Sequence, residues 1–244
     1  MKNDNVIQVD GLTKKFGDFI AVNEISFEVS RGEIFGFLGA NGAGKTTAMK
    51  MLIGISLPSS GQAQVAGYDV HTQAEKIKKN IGYMSQKFAL YDDLTVKENI
   101  VFFGGIYGLS TERIREKANQ LIEELGLENV VNSLVGSLPL GWKQKLAFSV
   151  AMLHDPKIVF LDEPTGGVDP ITRRQFWEMI YKAANNGTTI FVTTHYMDEA
   201  EYCDRVSIMV EGRIEALDTP KRLKEQFKVD SMNAVFLKLA RNIE

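Results

Sequence analysis

The sequence predicts an α/β protein with a parallel core, an antiparallel β region near its N-terminal end, and an inserted block of helices. Three observations carry this prediction. A short apolar strand runs into a glycine-rich loop and then a helix over residues 33–52. Apolar strand runs alternate with a helix over residues 157–210, the pattern of parallel strands joined by crossovers. Between them, residues 90–154 show helical spacing and no strong strand signal.

The 244 residues allow one large domain, and 44% apolar with 24% charged content is ordinary for a chain with a core. A formal net charge of −3 argues against capture of nucleic acid by charge. The basic runs at residues 76–79 and 221–224 read as solvated helix faces. The single cysteine, Cys203, fits a reducing compartment and reads as a packing residue in a helical stretch. No secretory signal pattern opens the chain, and no apolar run approaches the about 20 residues that span a bilayer. Work at a membrane would therefore need a partner.

Val6-Ile7-Gln8-Val9 and Ile25-Ser26-Phe27-Glu28-Val29 alternate as strands, with turns at Gly11, Gly17 and Gly32. Glu33 to Leu38 reads as a buried strand. It leads into Gly39-Ala40-Asn41-Gly42-Ala43-Gly44-Lys45-Thr46-Thr47, which fits the phosphate-binding pattern G-x-x-x-x-G-K-[ST]. Glycines let backbone N–H groups close around phosphate oxygens, and a helix start adds free donors and a positive dipole end. Lys45 supplies a point charge for the phosphates, and the Thr46 hydroxyl can ligate Mg²⁺. Pro58 and Gly61 break the following helix before a short strand near Ala63 to Val65.

Thr95 reads as an N-cap with Glu98 at the capping-box position. Ile114, Ala118, Leu121, Ile122 and Leu125 share one helical face. Ile158-Val159-Phe160-Leu161 is a buried strand ending in Asp162 and Glu163. In a phosphate-loop protein such a strand delivers an aspartate to the Mg²⁺ shell, here Asp162. Glu163, one residue on, can polarise a water in line with the γ-phosphate. A helix at about residues 171–185 and strands at 188–194 and 206–210 complete the alternation. From Pro220 the chain reads as helical, then ambiguous.

These landmarks together resemble the nucleotide-binding domain of an ATP-binding cassette (ABC) ATPase over residues 6–217. The resemblance implies a P-loop NTPase fold with a RecA-like core at residues 1–87 and 155–220. It also implies a helical subdomain at 88–154 and a tail at 221–244. Gln86 matches the Q-loop glutamine, which touches Mg²⁺ and the attacking water. Asp169, after Gly166-Gly167-Val168, resembles the D-loop that reaches across a dimer. His195 matches the switch histidine, and Phe16 sits where the family stacks an aromatic on adenine. His71 and His154 match nothing and read as structural. The family's L-S-G-G-Q signature is replaced by Leu138-Pro139-Leu140-Gly141-Trp142, so the serine hydroxyl is gone. Proline suits the first position of the helix that follows.

The resemblance implies a head-to-tail dimer with a second cassette, ATP and Mg²⁺ as ligands, and a transmembrane permease. The chain would sit on the cytoplasmic face of the inner or plasma membrane. The stretch Gln86 to Thr95 and the altered signature resemble drug exporter ATPases and the second cassette of tandem-cassette exporters. Two other readings stay open: a soluble ABC ATPase acting on nucleic acid or ribosomes, and a weakly hydrolysing regulatory cassette.

Overall fold

The computed structural model describes residues 4–86 and 90–241. Its first layer is an antiparallel sheet made by β1 (Asn5–Phe16), β2 (Phe19–Ser30), β4 (Ser60–Val65) and the short β5 (Tyr68–Asp69), in the order β2-β1-β4-β5. Its second is a six-stranded sheet. β3 (Ile34–Gly39), β6 (Ile81–Met84), β7 (Ile158–Asp162), β8 (Thr189–Thr194), β9 (Arg205–Val210) and β10 (Arg213–Asp218) are ordered β10-β9-β3-β8-β7-β6. All pairs in this sheet are parallel except β10 with β9. Every residue of β3, β7 and β8 is buried, which is why these strands read as unbroken apolar runs.

Aromatic rings join the two sheets. Phe27 of β2 lies 5.4 Å from Phe35 and 5.6 Å from Phe37 of β3, and Phe191 of β8 packs against both at 5.6 and 5.3 Å. The helices α1 (Lys45–Leu52) and α2 (Ala74–Asn80) cover this same face. The opposite face is covered by α6 (Pro170–Asn185), through Phe176, Trp177 and Ile180, and by the C-terminal α8 (Met232–Arg241), through Met232 and Val235. The preceding α7 (Pro220–Phe227) buries Leu223 there too. The ambiguous stretch after Pro220 thus holds two packed helices within its described residues. Cys203 is buried just after the 3-10 segment Met197–Tyr202 rather than inside an α-helix, and burial pushes its thiol pKa up.

Between β6 and β7 the chain runs through α3 (Val96–Ile106), α4 (Thr111–Leu125) and α5 (Leu140–Ala151). They share a core of their own, with Val96, Ile100, Leu121, Leu127, Leu146 and Val150. The Thr95–Glu98 capping box is formed as expected: the Glu98 amide donates to Thr95 Oγ1 and the Thr95 amide to Glu98 Oε2. Asn99, fully buried, accepts from the Tyr91 amide and donates to the carbonyls of Tyr91, Leu94 and Thr95. One amide side chain therefore fixes the turn that leads into α3.

His154 ties this helical block to the core. Its ring stacks on Tyr107, at the end of α3, with centroids 3.9 Å apart. Nε2 donates to the Ile81 carbonyl at 3.0 Å, so Nδ1 is the bare nitrogen, and it is buried without a partner. Burial holds the imidazole below its ordinary pKa, with the Ile81 carbonyl and Asp155 opposing and Lys117 assisting. A depressed folded-state pKa means that stabilisation is present above the unfolded value of about 6.5 and lost as pH falls through the folded value. Scanning calorimetry should therefore show Tm falling between about pH 7 and pH 5, with a shallower fall in His154→Gln. Equal slopes for the two proteins would contradict this assignment.

Candidate nucleotide site

β3 ends at Gly39 and α1 begins at Lys45, so residues 40–44 form the connecting loop. Gly44 occupies the N-cap with φ 102°, and a Cβ there would overlap the Ala21 carbonyl. Both facts demand glycine. The cap carries no side-chain acceptor, and the first intrahelical bond runs from the Ala48 amide to the Gly44 carbonyl. The amides of Lys45, Thr46 and Thr47 thus lack an i−4 acceptor and face the loop with the positive end of the helix dipole. Such a cradle is suited to an anion.

Lys45 is buried, and its ammonium donates to the carbonyls of Gly39 at 2.9 Å and Ala40 at 3.1 Å. It also lies 3.3 Å from Glu163 Oε1. Beside it, the Thr46 hydroxyl donates to Asp162 Oδ1 at 3.1 Å, and the same oxygen accepts from Thr193 Oγ1 at 2.7 Å. These contacts follow from sheet order. Leu38 is paired with Thr194 and Asp162 with Thr193, so the C-terminal ends of β3, β8 and β7 lie side by side.

Glu163 follows β7 in a left-handed conformation, φ 48°, which is costly for a residue with a side chain. Its amide is held by the Thr193 carbonyl and hydroxyl. The result turns the Glu163 carboxylate away from Asp162 and into the cleft. Oε2 accepts from Gln86 Nε2 at 3.0 Å and from His195 Nδ1 at 2.9 Å. Because a carboxylate only accepts, His195 carries its proton on Nδ1. Near Asp162, burial foremost and the aspartate charge second push the Tyr83 phenol up to about 12, so it stays a neutral phenol.

The cleft has a volume of about 460 Å³. Asn41, Gly42, Gly44, Lys45, Thr46, Thr47, Gln86 and Glu163 line its polar end, and Phe16, Phe19 and Ala21 its other end. Phe16 and Phe19 are register partners across the β1–β2 turn and stand 56% and 65% exposed, far from the usual core aromatic. Phe19 escaped the sequence reading. Its signal is the Phe16-Gly17-Asp18-Phe19 turn, whose two-residue tip makes the two residues register partners. A larger cleft of about 630 Å³ lies among α4, α5 and α6, and none of the predicted residues lines it.

The hydroxyl and carboxylate oxygens of Thr46 and Asp162, with the Gln86 amide nearby, are hard donors of the kind Mg²⁺ prefers. Among the described residues, no three His, Cys, Asp or Glu side chains cluster to hold a metal ion. A cation here would need phosphate oxygens to complete its shell.

Of the other predicted residues, Gly39, Ala40, Asp162 and His195 adjoin the cleft through Lys45, Thr46 and Glu163, and Ala43 lies in its loop. Leu138, Pro139, Leu140, Gly141, Trp142 and Asp169 neither line it nor bond to those side chains. Pro139 is the N-cap of α5, not its first helical residue, with ψ 148° and an extended Leu138 before it. Its own extended ψ puts the helix start at Leu140, and its carbonyl accepts from the amides of Trp142 and Lys143. Gly141 abuts α6, where a Cβ would come within 2.6 Å of Thr172 Cγ2. Asp169 caps α6, accepting from the amides of Ile171 and Thr172 and from the Thr172 hydroxyl, which foremost holds its pKa low. Leu140, Trp142 and Ile171 are exposed around this junction. Lys87, Phe88 and Ala89, from the exporter-like stretch, lie outside the described residues.

Comparison with known proteins agrees with this geometry. The family model described as ABC transporter matches residues 22–166. The probable multidrug ABC transporter ATP-binding protein YbhF of Escherichia coli (strain K12) is 48% identical over 241 residues, covering 97% of this chain and 42% of that protein. The chain thus spans about two fifths of that relative's length. The Nod factor export ATP-binding protein I of Rhizobium sp. (strain N33) is 40% identical over 221 residues, covering 90% of this chain and 73% of that protein. A solved ATP binding subunit of an ABC transporter superposes with a TM-score of 0.86 at 28% identity, covering 96% of this chain and 99% of that one. The chain belongs to the ABC transporter family and has the P-loop NTPase fold of its ATPase cassettes.

Proposed function

We propose that this chain binds and hydrolyses ATP as one cassette of a head-to-tail pair, and that the cycle drives a membrane permease that exports its substrate. The observation that carries the proposal is the convergence of Lys45, Gln86 and His195 on the Glu163 carboxylate, beside the Thr46–Asp162 pair. The helix-start amides and Lys45 hold the phosphates, and Phe16 with Phe19 offers ring faces to the base. Thr46, Asp162 and Gln86 would hold Mg²⁺, which when bound neutralises charge on the β- and γ-phosphates. Glu163 is the general base. Its Oε2 accepts from Gln86 and His195, and its Oε1, paired with Lys45 at 3.3 Å, takes the proton from water attacking the γ-phosphorus once Lys45 turns to the phosphates. The products are ADP and phosphate. His195 and Gln86 keep that carboxylate aimed.

Residues 138–142 and Asp169 serve the partner's nucleotide rather than this chain's own. Their separation from the cleft supports that division. Pro139 offers neither hydroxyl nor amide N–H, and Leu140 adds bulk beside Gly167. Loss of a charge-assisted hydrogen bond to phosphate costs about 1.5–3 kcal/mol. A homodimer carries that loss twice, an asymmetric pair once, so we favour an asymmetric pair.

The permease would dock where Tyr91 and the α3 residues Val101, Phe102 and Ile106 expose an apolar surface, five to twenty residues beyond Gln86 in sequence. No described helix is long and apolar enough to cross a membrane. The proposal therefore has the permease hold the chain on the cytoplasmic face. Export is favoured because relatives carry multidrug and Nod factor export in their names.

Glu163→Gln should keep ATP affinity, lower turnover by about 10²–10⁴-fold, and accumulate an ATP-bound dimer in size-exclusion chromatography. Unchanged turnover would contradict the assigned base. In steady-state assays, Pro139→Ser/Leu140→Gly should raise turnover of the homodimer about tenfold or more. Full cooperative turnover before restoration, with no gain after it, would remove the argument for asymmetry.

A further inference from the structure

Glu199 is fully buried on the 3-10 segment Met197–Tyr202, four residues after His195. Nothing in the proposed chemistry uses it. A carboxylate in such a place is costly unless it is paired and hydrogen-bonded, so its contacts matter. Its Oε1 accepts from the Thr165 hydroxyl and forms an ion pair with Arg173 Nε at 3.6 Å, too long for a hydrogen bond, while Oε2 and Arg173 Nε have no hydrogen-bond partner. Thr165 is itself buried, two residues past Glu163 on the same loop. The Arg173 guanidinium, one turn into α6, also stacks 4.3 Å over the Tyr196 ring and pairs with Asp198 at 3.5 Å. One cation thus grips residues 196, 198 and 199 of one short segment, and the His195 and Tyr196 rings pack with centroids 4.1 Å apart.

The loop after β7 and the segment after β8 are therefore clasped at two points. At the cleft, His195 Nδ1 donates to Glu163 Oε2. Behind it, Thr165 donates to Glu199. Resting on the reading of Glu163 and His195 given above, we propose that Glu199 is a positioning residue: anchored by Thr165 and Arg173, it sets the register in which His195 meets Glu163. Arg173 belongs to the helix that Asp169 caps, and its amide bonds the Asp169 carbonyl. A displacement of the Asp169 turn is passed through Arg173 to the His195 segment. The clasp therefore gives whatever partner touches that turn a mechanical hold on the His195–Glu163 contact.

The chain has only three histidines, so imidazole nitrogen NMR reads His195 directly, with His195→Ala to assign it. Thr165→Val keeps the branched shape but puts a methyl where the hydroxyl was, so Glu199 Oε1 loses its donor. It should shift the His195 resonances in the direction that Glu163→Gln shifts them and leave those of His71 and His154 in place. Thr165→Ser, which keeps the hydroxyl, should restore the unmodified spectrum. Glu199→Gln accepts from Thr165 but loses the charge facing Arg173, and should give an intermediate shift. Single-turnover ATP hydrolysis in Thr165→Val should slow about tenfold with ATP affinity changed less than twofold. His195 resonances that do not move in Thr165→Val, or that move equally in Thr165→Ser, overturn the proposal. Absence of ATP hydrolysis in the unmodified chain, with the NMR pattern as expected, would instead count against the ATPase reading alone.

Discussion

The structure turns on a single carboxylate. Glu163 is where the loop lysine, the glutamine after β6 and the histidine after β8 meet, at 3.3, 3.0 and 2.9 Å. A negative charge with 9% exposure is tolerable only because a cation and two N–H donors face it. The backbone accepts a left-handed conformation at Glu163 to bring this about, and Thr193 holds its amide in place. Asp162, one residue earlier, points to the opposite partner set, Thr46 and Thr193. Two adjacent acids thus receive different surroundings and different work. The parallel sheet makes this possible, since only aligned strand ends bring loops from such distant parts of the chain to one edge.

In the proposed cycle a second constraint separates what the chain does for its own nucleotide from what it offers a partner. The cradle, Glu163 and the aromatic turn line one cleft, and Asp162 adjoins it through Thr46. The start of α5 and the cap of α6 form another surface, joined at Gly141 and Thr172. Tight packing against Thr172 leaves no room for a side chain at Gly141. Leu140, Trp142 and Ile171 give this surface an apolar character that a phosphate would not favour. The clasp through Glu199, Thr165 and Arg173 is the route by which the two surfaces communicate in our reading.

Much of this was legible in sequence where the signal is local. Continuous apolar runs marked β7 and β8 because strands buried on both faces need no alternation. The glycine loop and the Thr95–Glu98 box announce themselves because their geometry depends on a few neighbouring residues. Long-range contacts were not legible from pattern alone. Thr46 and Asp162 are 116 residues apart, and only sheet order joins them. The resemblance to a family supplied Gln86, His195 and Phe16, but not Phe19, whose place follows from the hairpin register. Nor did it supply Glu199, whose meaning lies in contacts with Thr165 and Arg173, 34 and 26 residues before it. Proline suits the first position of a helix, but Pro139 sits one residue earlier, as the cap, with an extended ψ that pattern alone does not reveal.

The composite site is tested most directly by complementation between two variants. A chain carrying Lys45→Ala with Pro139→Ser/Leu140→Gly loses its own phosphate lysine but presents a restored segment to its partner. Added to the unmodified chain, it should raise ATP turnover per unmodified chain about tenfold or more. Lys45→Ala alone, added the same way, should not. Equal turnover in the two mixtures would contradict the view that residues 138–142 act on the partner's ATP.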